Sequence, residues 1–545
     1  MDSEARDCGS QKRADRRAFL FGAGALAGAM LHPRPCLASR PRPEGMYPQP
    51  LRTRLENAYN LRMEFARRLR KESSTMHSSN GDAERYPNKI ATFTKALPHN
   101  RLGEVDPQAY ASLTKALASG DLADFEAIRM GADRKFTNPL AAYAYDSQGA
   151  DPQSFGMKPA PAFSSAEIAG EAAELYWMAL TRDVPFTEYD SHPLTRKAAS
   201  DLGRLSDFRG PRENGSITTA TLFRGGSPGV TSGPYISQFM YRDAYFGSEK
   251  IQRRFRTVLS ETDYATTYED WLLMQDGNSP WRESWDPMPR YVRNSRDLAQ
   301  WVHYDVLYQA YLDALLVLFE IGARHFMGSP YRTSRTQMGF GTLGSTHIAS
   351  LMCGVAKPAL KSVWYQKWLV HMRLRPEEFA GRIHNHATGA ASYPIHRDIL
   401  SSEALRATFD IQKTYLLSQA FPEGSPTHPS YGAGHATVAG ACATVLKAFF
   451  EESFVFRSPV VPSPDGTALV RWEGPDLTVG GELNKLAFNV ANGRNMAGIH
   501  WRSDADESLK LGEEIAIEYL REERAGLQEK FTFSLTRFDG SKIEF

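Results

Sequence analysis

Residues 423–442 read EGSPTHPSYGAGHATVAGAC, and this stretch decides the fold. A segment rich in Pro, Ser and Gly ends at Gly432-Ala433-Gly434-His435, and small apolar residues then recur at helical spacing. We therefore expect a loop that leads into a buried helix. The main-chain N–H groups of a first turn have no partner within the helix and lie at the positive end of its dipole. Glycine also lets a ligand approach the main chain closely. The stretch predicts an oxyanion site with an imidazole beside it.

A second segment, WYQKWLVHMRLRP at 364–376, supplies basic side chains. Lys367 and His371 are four residues apart and share a helix face. Pro376 disfavours the helical conformation at Arg375, so we expect the helix to end there, with Lys367 in its last full turns and Arg375 at its exit. We expect His371 to pack beside the site or to form a hydrogen bond in the core.

The third segment is RNMAGIHWRSD at 494–504. Helical spacing places Arg494 and Gly498 on one face, and likewise His500 and Asp504. The glycine leaves room beside the arginine, and the carboxylate is suited to orient or charge-stabilise the imidazole. Taken alone, such a Lys or Arg is more often a solvated surface group, and such a His or Trp a packed core residue. The prediction of a site therefore depends on the three segments together.

The combined pattern is Lys–x7–Arg-Pro, Gly-His at a helix start, and Arg–x5–His–x3–Asp. It resembles the vanadium-dependent haloperoxidases, which share their site with the type 2 phosphatidic-acid phosphatases. The likeness is greatest to the algal-type bromoperoxidases and covers roughly residues 55–540. It extends to the stretches GDAERYPNKIATFTKALPHNRLGEVD, ELYWMALTRDVPFTEY, GPYISQF and EGSPTHPSY.

The resemblance implies a vanadate cofactor, with no haem and no nucleotide. By its position, His500 matches the residue that bonds vanadium, and His435 matches the acid–base residue that takes a proton from bound peroxide. Asp305 is the carboxylate expected to fix His435, and Asp504 is expected to support His500. The residues that the resemblance assigns to the vanadate oxygens and the metal are Lys367, Arg375, Ala433, Gly434, Arg494 and His500.

The implied reaction oxidises a halide with hydrogen peroxide to a hypohalous-acid-type species, which then halogenates an organic acceptor. Vanadium stays at +5 and acts as a Lewis acid, and Lys367 polarises the peroxide. Trp364 and His428 match positions on the halide side of the bromoperoxidase site. Some chloroperoxidases carry a phenylalanine in place of His428, so the histidine favours bromide and iodide over chloride.

One position departs from the family pattern. The family usually has Pro-Ser-Gly-His, whereas this chain has Gly432-Ala433-Gly434-His435. The missing hydroxyl removes a hydrogen bond worth about 0.5–1.5 kcal/mol, which corresponds to roughly tenfold in vanadate affinity at most. Two alternatives stay open on the sequence. One is an acid phosphatase with His500 as nucleophile, which vanadate would inhibit, and the other is an exported oxyanion-binding protein without catalysis.

Composition is that of a globular protein able to bury a large core: 545 residues, 42% hydrophobic and 23% charged. A net charge of +1 gives no indication of a nucleic-acid partner. We expect one mainly α-helical unit, in which an N-terminal helical portion (54–290) packs on a C-terminal bundle (291–545) that carries the vanadate site. Helical periodicity is found over 54–72, 107–118, 121–130, 165–182, 295–327, 345–374, 435–452, 483–497 and 503–524.

The end of the chain, FTFSLTRFDGSKIEF, predicts a short β-hairpin that turns at Asp539-Gly540. Relatives of the resembled family form dimers or larger assemblies, so we expect at least a homodimer. Cys353 and Cys442 lie in apolar helical stretches and are expected to be buried free thiols. A disulfide between them remains open, because spacing alone does not decide pairing.

The N-terminus predicts a twin-arginine export signal over 1–38. Arg16-Arg17 is followed by an apolar run to about Leu31 and a small-residue cleavage site at 36–38. The alternative is a disordered basic tail with an accidental arginine pair. Residues 39–53, rich in Pro and Arg, are expected to form a linker. The apolar run is too short for a stable transmembrane helix, so we expect a periplasmic or secreted protein without membrane insertion after export.

Overall fold

The structure is a computed structural model that describes residues 50–71 and 75–545. The predicted export signal, and the linker as far as residue 49, lie outside the described residues. Of the described residues, 50–64 belong to one compact unit and those from 65 to 545 belong to another. All features described below lie in the second unit, apart from the first part of the first helix.

Helices dominate the chain, as predicted. The α-helices are α1 (Leu51–Lys71), α2 (Asp82–Arg85), α3 (Pro107–Ser119), α4 (Leu122–Glu126), α5 (Ala166–Leu180), α6 (Pro193–Arg204), α7 (Tyr268–Gln275), α8 (Ser295–Tyr304), α9 (Gln309–Glu320), α10 (Ser345–Gly354), α11 (Ala356–Tyr365), α12 (Pro376–Ala387), α13 (Arg397–Leu400), α14 (Glu403–Gln412), α15 (Gly434–Phe449), α16 (Val479–Met496) and α17 (Arg502–Ala525). Short 3-10 helices lie at Pro139–Tyr143, Pro152–Ser154, Phe186–Glu188, Gln238–Met240 and Pro330–Arg332, and a π-helical turn at Gln366–His371.

The strands form two-stranded antiparallel hairpins. The predicted C-terminal hairpin is confirmed: Ser534–Thr536 pairs with Lys542–Glu544. Gly540 adopts a φ of 87° in its turn, which favours glycine. Two further hairpins were not predicted from the sequence, and they pair Ala244–Phe246 with Glu249–Ile251 and Val460–Pro462 with Leu469–Arg471.

The core of the second unit is built around α15, which is buried along almost its whole length. Helix α17 crosses α15 at close range because each helix presents a glycine to the other. A Cβ atom on Gly440 of α15 would come within 2.1 Å of the Leu509 carbonyl oxygen, and one on Gly512 of α17 within 2.0 Å of the Thr437 carbonyl oxygen. This crossing brings the loop before α15 next to the start of α17.

The prediction of one continuous helix over 295–327 is wrong, because this range contains two helices, α8 and α9. Helix α8 begins at an Asn294 cap, whose side chain accepts a hydrogen bond from the Asp297 N–H. It ends at Tyr304, and Asp305 has extended main-chain angles before α9 starts at Gln309. The apolar periodicity continues across the break, so it did not reveal where the helix stops. Likewise, only Leu122–Glu126 of the predicted helix 121–130 is α-helical.

The helix exit predicted at Arg375 is also wrong. The π-helical turn ends at His371, and Met372 has a φ of 44°. Arg375 is instead the cap residue of the following helix, α12, and Pro376 is its first residue. Proline suits that position because its fixed φ is helical and its missing N–H would have had no acceptor. The Glu378 carboxylate accepts the Arg375 N–H at 2.7 Å and so fixes the cap.

Arg494 and Gly498 do not share a helix face, contrary to the prediction. Helix α16 ends at Met496, and Gly498 lies in the turn that follows, with a φ of 86°. Asp504 lies in the first turn of α17 and accepts the Trp501 N–H at 3.1 Å. His500 therefore precedes α17, and its contact with Asp504 crosses the start of that helix.

The cysteines at 353 and 442 are free thiols. Cys442 is fully buried, whereas Cys353 is only partly buried. Within the described ranges, no helix combines the length and the apolar character that a membrane span requires.

Candidate active site

Three basic side chains converge from separate elements and are buried. Lys367 lies in the π-helical turn, Arg375 caps α12, and Arg494 lies in the last turn of α16. Lys367 and Arg375 have no exposed surface, and Arg494 is 6% exposed. The three cations predicted from the sequence are thus brought to one place in the interior.

Lys367 donates from Nζ to the carbonyl oxygens of Pro429 at 2.7 Å and Ser430 at 3.0 Å. Burial, with Arg375 and Arg494 nearby, lowers the pKa of the Lys367 ammonium well below its ordinary value. Lys367 therefore holds the loop before α15 through two carbonyl groups, in surroundings that disfavour its charged form.

Arg375 is a hub of hydrogen bonds. Its Nε donates to the His428 carbonyl at 2.9 Å, and Nη1 donates to the Ile499 carbonyl at 2.8 Å and to Nε2 of His500 at 2.9 Å. Its Nη2 donates to Nδ1 of His428 at 2.9 Å. Burial lowers its pKa to about 9. Arg375 thus links the 428 loop to the turn before α17.

Arg494 forms fewer hydrogen bonds than Arg375. Its Nη1 donates to the Val302 carbonyl at 2.7 Å, and its guanidinium carbon lies 5.4 Å from the centre of the Phe421 ring. Its Nε is buried, and no group in the described ranges forms a hydrogen bond with it. Burial lowers its pKa to about 10. A buried donor without an acceptor is costly, so Arg494 presents an open position for an anion.

Among the described residues, no carboxylate pairs with any of the three cations. Their hydrogen bonds run to main-chain carbonyls and imidazoles, and none of the three forms an ion pair with a carboxylate anywhere in the described part of the chain. Uncompensated charges are rarely buried in proteins. The geometry therefore fits an anion with several acceptor oxygens.

His500 is held in one tautomer. Its Nδ1–H donates to Oδ2 of Asp504 at 2.7 Å, and its Nε2 accepts from Arg375. Burial, together with Arg375 and Lys367, lowers the pKa of His500 well below its ordinary value, so the ring is neutral at pH 7. A neutral imidazole with its Nε2 lone pair among the cations can serve as a metal ligand.

His435 lies in the first turn of α15, where the sequence predicted it. Its Nε2 hydrogen-bonds to Oδ1 of Asp305 at 2.8 Å, which leaves Nδ1 for other partners. The His435 side chain is 16% exposed, whereas that of Asp305 is 2% exposed. A partly accessible imidazole fixed by a buried carboxylate is suited to proton transfer.

The loop before α15 is held by Ser508 of α17, whose Oγ accepts a hydrogen bond from the Ala433 N–H at 2.8 Å. The N–H groups of the first turn of α15, starting with Gly434, have no acceptor within the helix. A Cβ atom on Gly434 would come within 3.1 Å of the Trp364 ring, so a larger residue at this position would have to displace the ring by a few tenths of an ångström.

Trp364 and His428 are neighbours on one side of the cluster. Their ring centres lie 5.0 Å apart, and Trp364 Nε1 donates to the Thr137 carbonyl at 3.0 Å. Burial, with Lys367 and Arg375 nearby, lowers the pKa of His428 well below its ordinary value. The structure therefore brings together all the site residues named from the sequence.

Several residues of this region were not singled out from the sequence. Arg373 donates to Asp504, Ser430 Oγ also donates to Asp504, and Ser508 holds the loop before α15. The motif Arg-x-Arg before Pro376 was the available signal for Arg373, since residues two apart in an extended segment lie on the same face. His371 packs edge-on against Tyr431 with ring centres 4.8 Å apart, and neither of its nitrogens has a partner.

Known proteins share the sequence and the fold of this chain. Residues 406–528 match the family model of the second helical-bundle domain of VCPO. A vanadium-dependent bromoperoxidase of Corallina pilulifera is 36% identical, and the match covers 84% of this chain and 91% of that protein. One of Ascophyllum nodosum is also 36% identical, and the match covers 91% of this chain and 93% of that protein.

A solved structure agrees with these relatives. The second vanadate-dependent bromoperoxidase of Ascophyllum nodosum, AnII, which is described as homohexameric, superposes with a TM-score of 0.89 at 30% identity, covering 96% of this chain and 94% of that chain. Sequence and fold thus agree over almost the whole chain, and they confirm the resemblance and the fold class predicted above. The chain belongs to the vanadium-dependent haloperoxidase family, within its bromoperoxidase group, and is therefore an enzyme.

Proposed function

We propose that this enzyme is a vanadate-dependent haloperoxidase that oxidises bromide and iodide with hydrogen peroxide to a hypohalous-acid-type halogenating species. Its relatives and the AnII structure favour this function over an acid phosphatase and over a non-catalytic oxyanion-binding protein. The observation that carries the proposal is the set of three buried cations without carboxylate partners beside the Nε2 lone pair of His500.

Vanadate, when bound, supplies a Lewis-acidic metal that activates hydrogen peroxide toward halide. The donors present fit a tetrahedral oxyanion. Arg375 and Arg494 present planar donor forks, and Lys367 acts as a point charge. The Gly434 N–H adds a donor at the positive end of α15. We assign His500 as the vanadium ligand through Nε2, because Asp504 occupies its other nitrogen.

His435 is the proposed acid–base residue. Asp305 accepts a hydrogen bond from its Nε2, so proton exchange with bound peroxide would use Nδ1. The negative charge of Asp305 stabilises the imidazolium form that results when His435 takes the proton. Lys367, whose Nζ lies 5.9 Å from the centre of the Trp364 ring, would polarise the peroxide in this proposal.

Trp364 and His428 form the proposed halide side. The His428 imidazole accepts a hydrogen bond from Arg375, so its orientation is fixed. A polar ring at this position favours bromide and iodide over chloride in our proposal. The organic acceptor would react with the released halogenating species.

The test is halogenation of a phenol reporter by metal-free protein, supplied with peroxide and bromide, with and without added vanadate. We expect vanadate to switch on bromide-dependent turnover. Hydrolysis of a phosphate ester that vanadate inhibits would favour the phosphatase instead. Tight vanadate binding without turnover would favour the non-catalytic alternative, and absence of turnover at every vanadate concentration would refute the proposed function.

A homo-oligomer is proposed as well. AnII, whose fold this chain shares at a TM-score of 0.89, is described as homohexameric. Light scattering on the purified protein should give at least twice the mass of one chain, which is 60.9 kDa before the signal is removed. A monomer across the micromolar range would contradict this proposal.

Export through a twin-arginine signal is our proposal for the N-terminus. It is supported by Arg16-Arg17 and the apolar run that follows. Replacing both arginines by lysine should leave the protein in the cytoplasm, as measured by cell fractionation. Unchanged export of that variant would rule out the twin-arginine route.

A further inference from the structure

Helix α5 reaches the surroundings of His500 from the N-terminal part of the chain. Its Glu171 is buried, and Oε2 of that carboxylate accepts a hydrogen bond from Nη2 of Arg373 at 2.9 Å. The other oxygen, Oε1, accepts the Ser503 N–H at 2.7 Å. Glu171 therefore contacts both Arg373 and the start of α17. Glu171 and Arg373 are 202 residues apart in the sequence.

Arg373, which binds Glu171, also binds Asp504. Its Nη1 donates to Oδ1 of Asp504 at 2.8 Å and to Oγ of Ser503 at 2.8 Å. The guanidinium carbon lies 4.8 Å from the Trp501 ring centre and 5.7 Å from that of Tyr431. These aromatic contacts and the hydrogen bonds hold the guanidinium in one place.

Asp504 in turn contacts His500. Its Oδ2 accepts from Nδ1 of His500 at 2.7 Å, and from the Ser430 hydroxyl and the Trp501 N–H. Glu171, Arg373, Asp504 and His500 thus form a continuous buried series in which negative, positive, negative and neutral groups alternate. None of the four has more than 6% of its side chain exposed.

Charge balance explains why Glu171 matters. Two carboxylates, Glu171 and Asp504, pair with the buried guanidinium of Arg373, and without Glu171 the Asp504 carboxylate alone would have to balance that charge. Breaking a buried ion pair by removing one partner leaves an uncompensated charge and is strongly unfavourable. Asp504 would then be drawn toward Arg373 and away from Nδ1 of His500.

We propose that Glu171 is a positioning residue for His500: acting through Arg373 and Asp504, it fixes the tautomer and the orientation in which Nε2 faces the oxyanion. The inference rests on the proposed function, since it takes His500 as the vanadium ligand. Groups that orient a metal-ligating imidazole from outside typically change metal affinity 10–100-fold when removed.

Glu174 provides a matched control on the same helix. It is as deeply buried as Glu171 and pairs with Arg502, whose Nε donates to Oε2 of Glu174 at 2.8 Å. Arg502 also donates to the Arg224 carbonyl at 3.0 Å. This second pair contacts neither Asp504 nor His500, so its loss should affect stability without affecting the orientation of His500.

The experiment compares Glu171→Gln with Glu174→Gln in the full-length protein. Vanadate dissociation constants are measured by equilibrium dialysis, and thermal unfolding by calorimetry. We expect both variants to lose thermal stability, Glu171→Gln to raise the vanadate dissociation constant about tenfold or more, and Glu174→Gln to leave it within about twofold. Equal dissociation constants in the two variants would overturn the proposal, because the role of Glu171 would then be structural only.

A second readout does not need vanadate. The ring ¹⁵N shifts of His500 in metal-free protein should report protonated Nδ1 and unprotonated Nε2 in the parent and in Glu174→Gln. We expect the two tautomers to mix in Glu171→Gln, and an unchanged spectrum would count against the proposal. If Glu171→Gln does not fold, Glu171→Asp and Arg373→Lys serve instead. A parent protein that binds no vanadate but shows the expected shifts would refute the cofactor while leaving the positioning role intact.

Discussion

The Asp305 carboxylate accepts a hydrogen bond from the His435 imidazole at 2.8 Å, while its second oxygen, Oδ2, is buried without a partner. Asp305 sits where the chain leaves α8, and His435 sits where it enters α15. Two helix ends therefore set the orientation of the imidazole. The unpartnered oxygen keeps the negative charge of Asp305 available to a protonated ring.

Replacing Asp305 by asparagine should lower kcat for bromide oxidation. The amide keeps the volume and can still hold the ring, but it lacks the charge that stabilises imidazolium. General acid–base catalysis contributes about 10²–10⁴-fold, so we expect a loss of at least tenfold. Steady-state bromination measures this effect, and the vanadate dissociation constant serves as control because it should change less than threefold. Full activity in Asp305→Asn would remove Asp305 from the proposed mechanism.

Replacing Ala433 by serine should strengthen vanadate binding. The added hydroxyl offers one more neutral hydrogen bond, worth about 0.5–1.5 kcal/mol, or up to roughly tenfold in the dissociation constant. Equilibrium dialysis measures the change. Ala433→Gly is the matched control, since it also lacks a hydroxyl and should not bind more tightly.

The same substitution has a competing effect that can be separated. Ala433 caps α15, and serine is a much better cap than alanine, by about 0.5–2 kcal/mol. A higher melting temperature of the metal-free Ala433→Ser protein without tighter vanadate binding would mean that the hydroxyl bonds to the helix instead of the anion.

Removing the Arg494 guanidinium should weaken vanadate binding without lowering the stability of the metal-free protein. In the parent protein, vanadate at one hundred times its dissociation constant should stabilise the fold by about 2.7 kcal/mol. We expect Arg494→Met to keep the stability of the metal-free protein, because one buried, partly unsatisfied charge is gone. The same variant should weaken vanadate binding at least tenfold, since charge-assisted hydrogen bonds contribute about 1.5–3 kcal/mol.

Thermal unfolding with and without vanadate checks this prediction. Exposed Arg324, which pairs with Glu451, offers the control substitution Arg324→Met. An Arg494→Met protein that is stabilised by vanadate as much as the parent would show that Arg494 does not contact the anion.

His371 should make the stability of the metal-free protein depend on pH. Burial, with Arg373 and His77 nearby, lowers its pKa to about 3, and only Asp504 opposes that shift. The folded protein therefore binds fewer protons than the unfolded chain between pH about 6.5 and 3. The contribution of this group to stability is fully present above pH 6.5 and is lost as the pH falls.

Substituting leucine for His371 should flatten this dependence. The ring has no hydrogen-bond partner, so its loss leaves no acceptor unpaired. We expect the decrease in unfolding free energy between pH 6 and 4 to become smaller by up to about 1.4 kcal/mol per pH unit. Urea unfolding at several pH values measures the slope, and an identical slope in His371→Leu and parent would contradict the pKa shift.

The parts of the site that follow local rules were predictable. The glycine-rich entry into α15 depends on neighbours within a few residues, so the sequence placed His435 correctly at a helix start. The sequence also paired His500 with Asp504, but it placed both on one helix face, whereas His500 precedes α17. The family resemblance added the roles of those residues. Long amphipathic stretches likewise predicted the principal helices, because helical periodicity is a local property.

Other features could not be read locally. The break at Asp305 interrupts an apolar pattern that continues on both sides, and Pro376, which stops many helices, here begins one. The partner of Arg373 is Glu171, and nothing near either residue in the sequence indicates the pairing. Such contacts depend on tertiary packing, which overrides local preference.

The close crossing of α15 and α17 at Gly440 and Gly512 has a practical consequence for anyone who wishes to alter halide selectivity by directed evolution. Neither position tolerates even a methyl group without moving apart the two helices whose starts carry His435 and the neighbour of His500. Mutant libraries should therefore vary Trp364, His428 and Ala433 and keep both glycines constant. Changes in halide specificity can then be sought without altering the packing of α15 against α17.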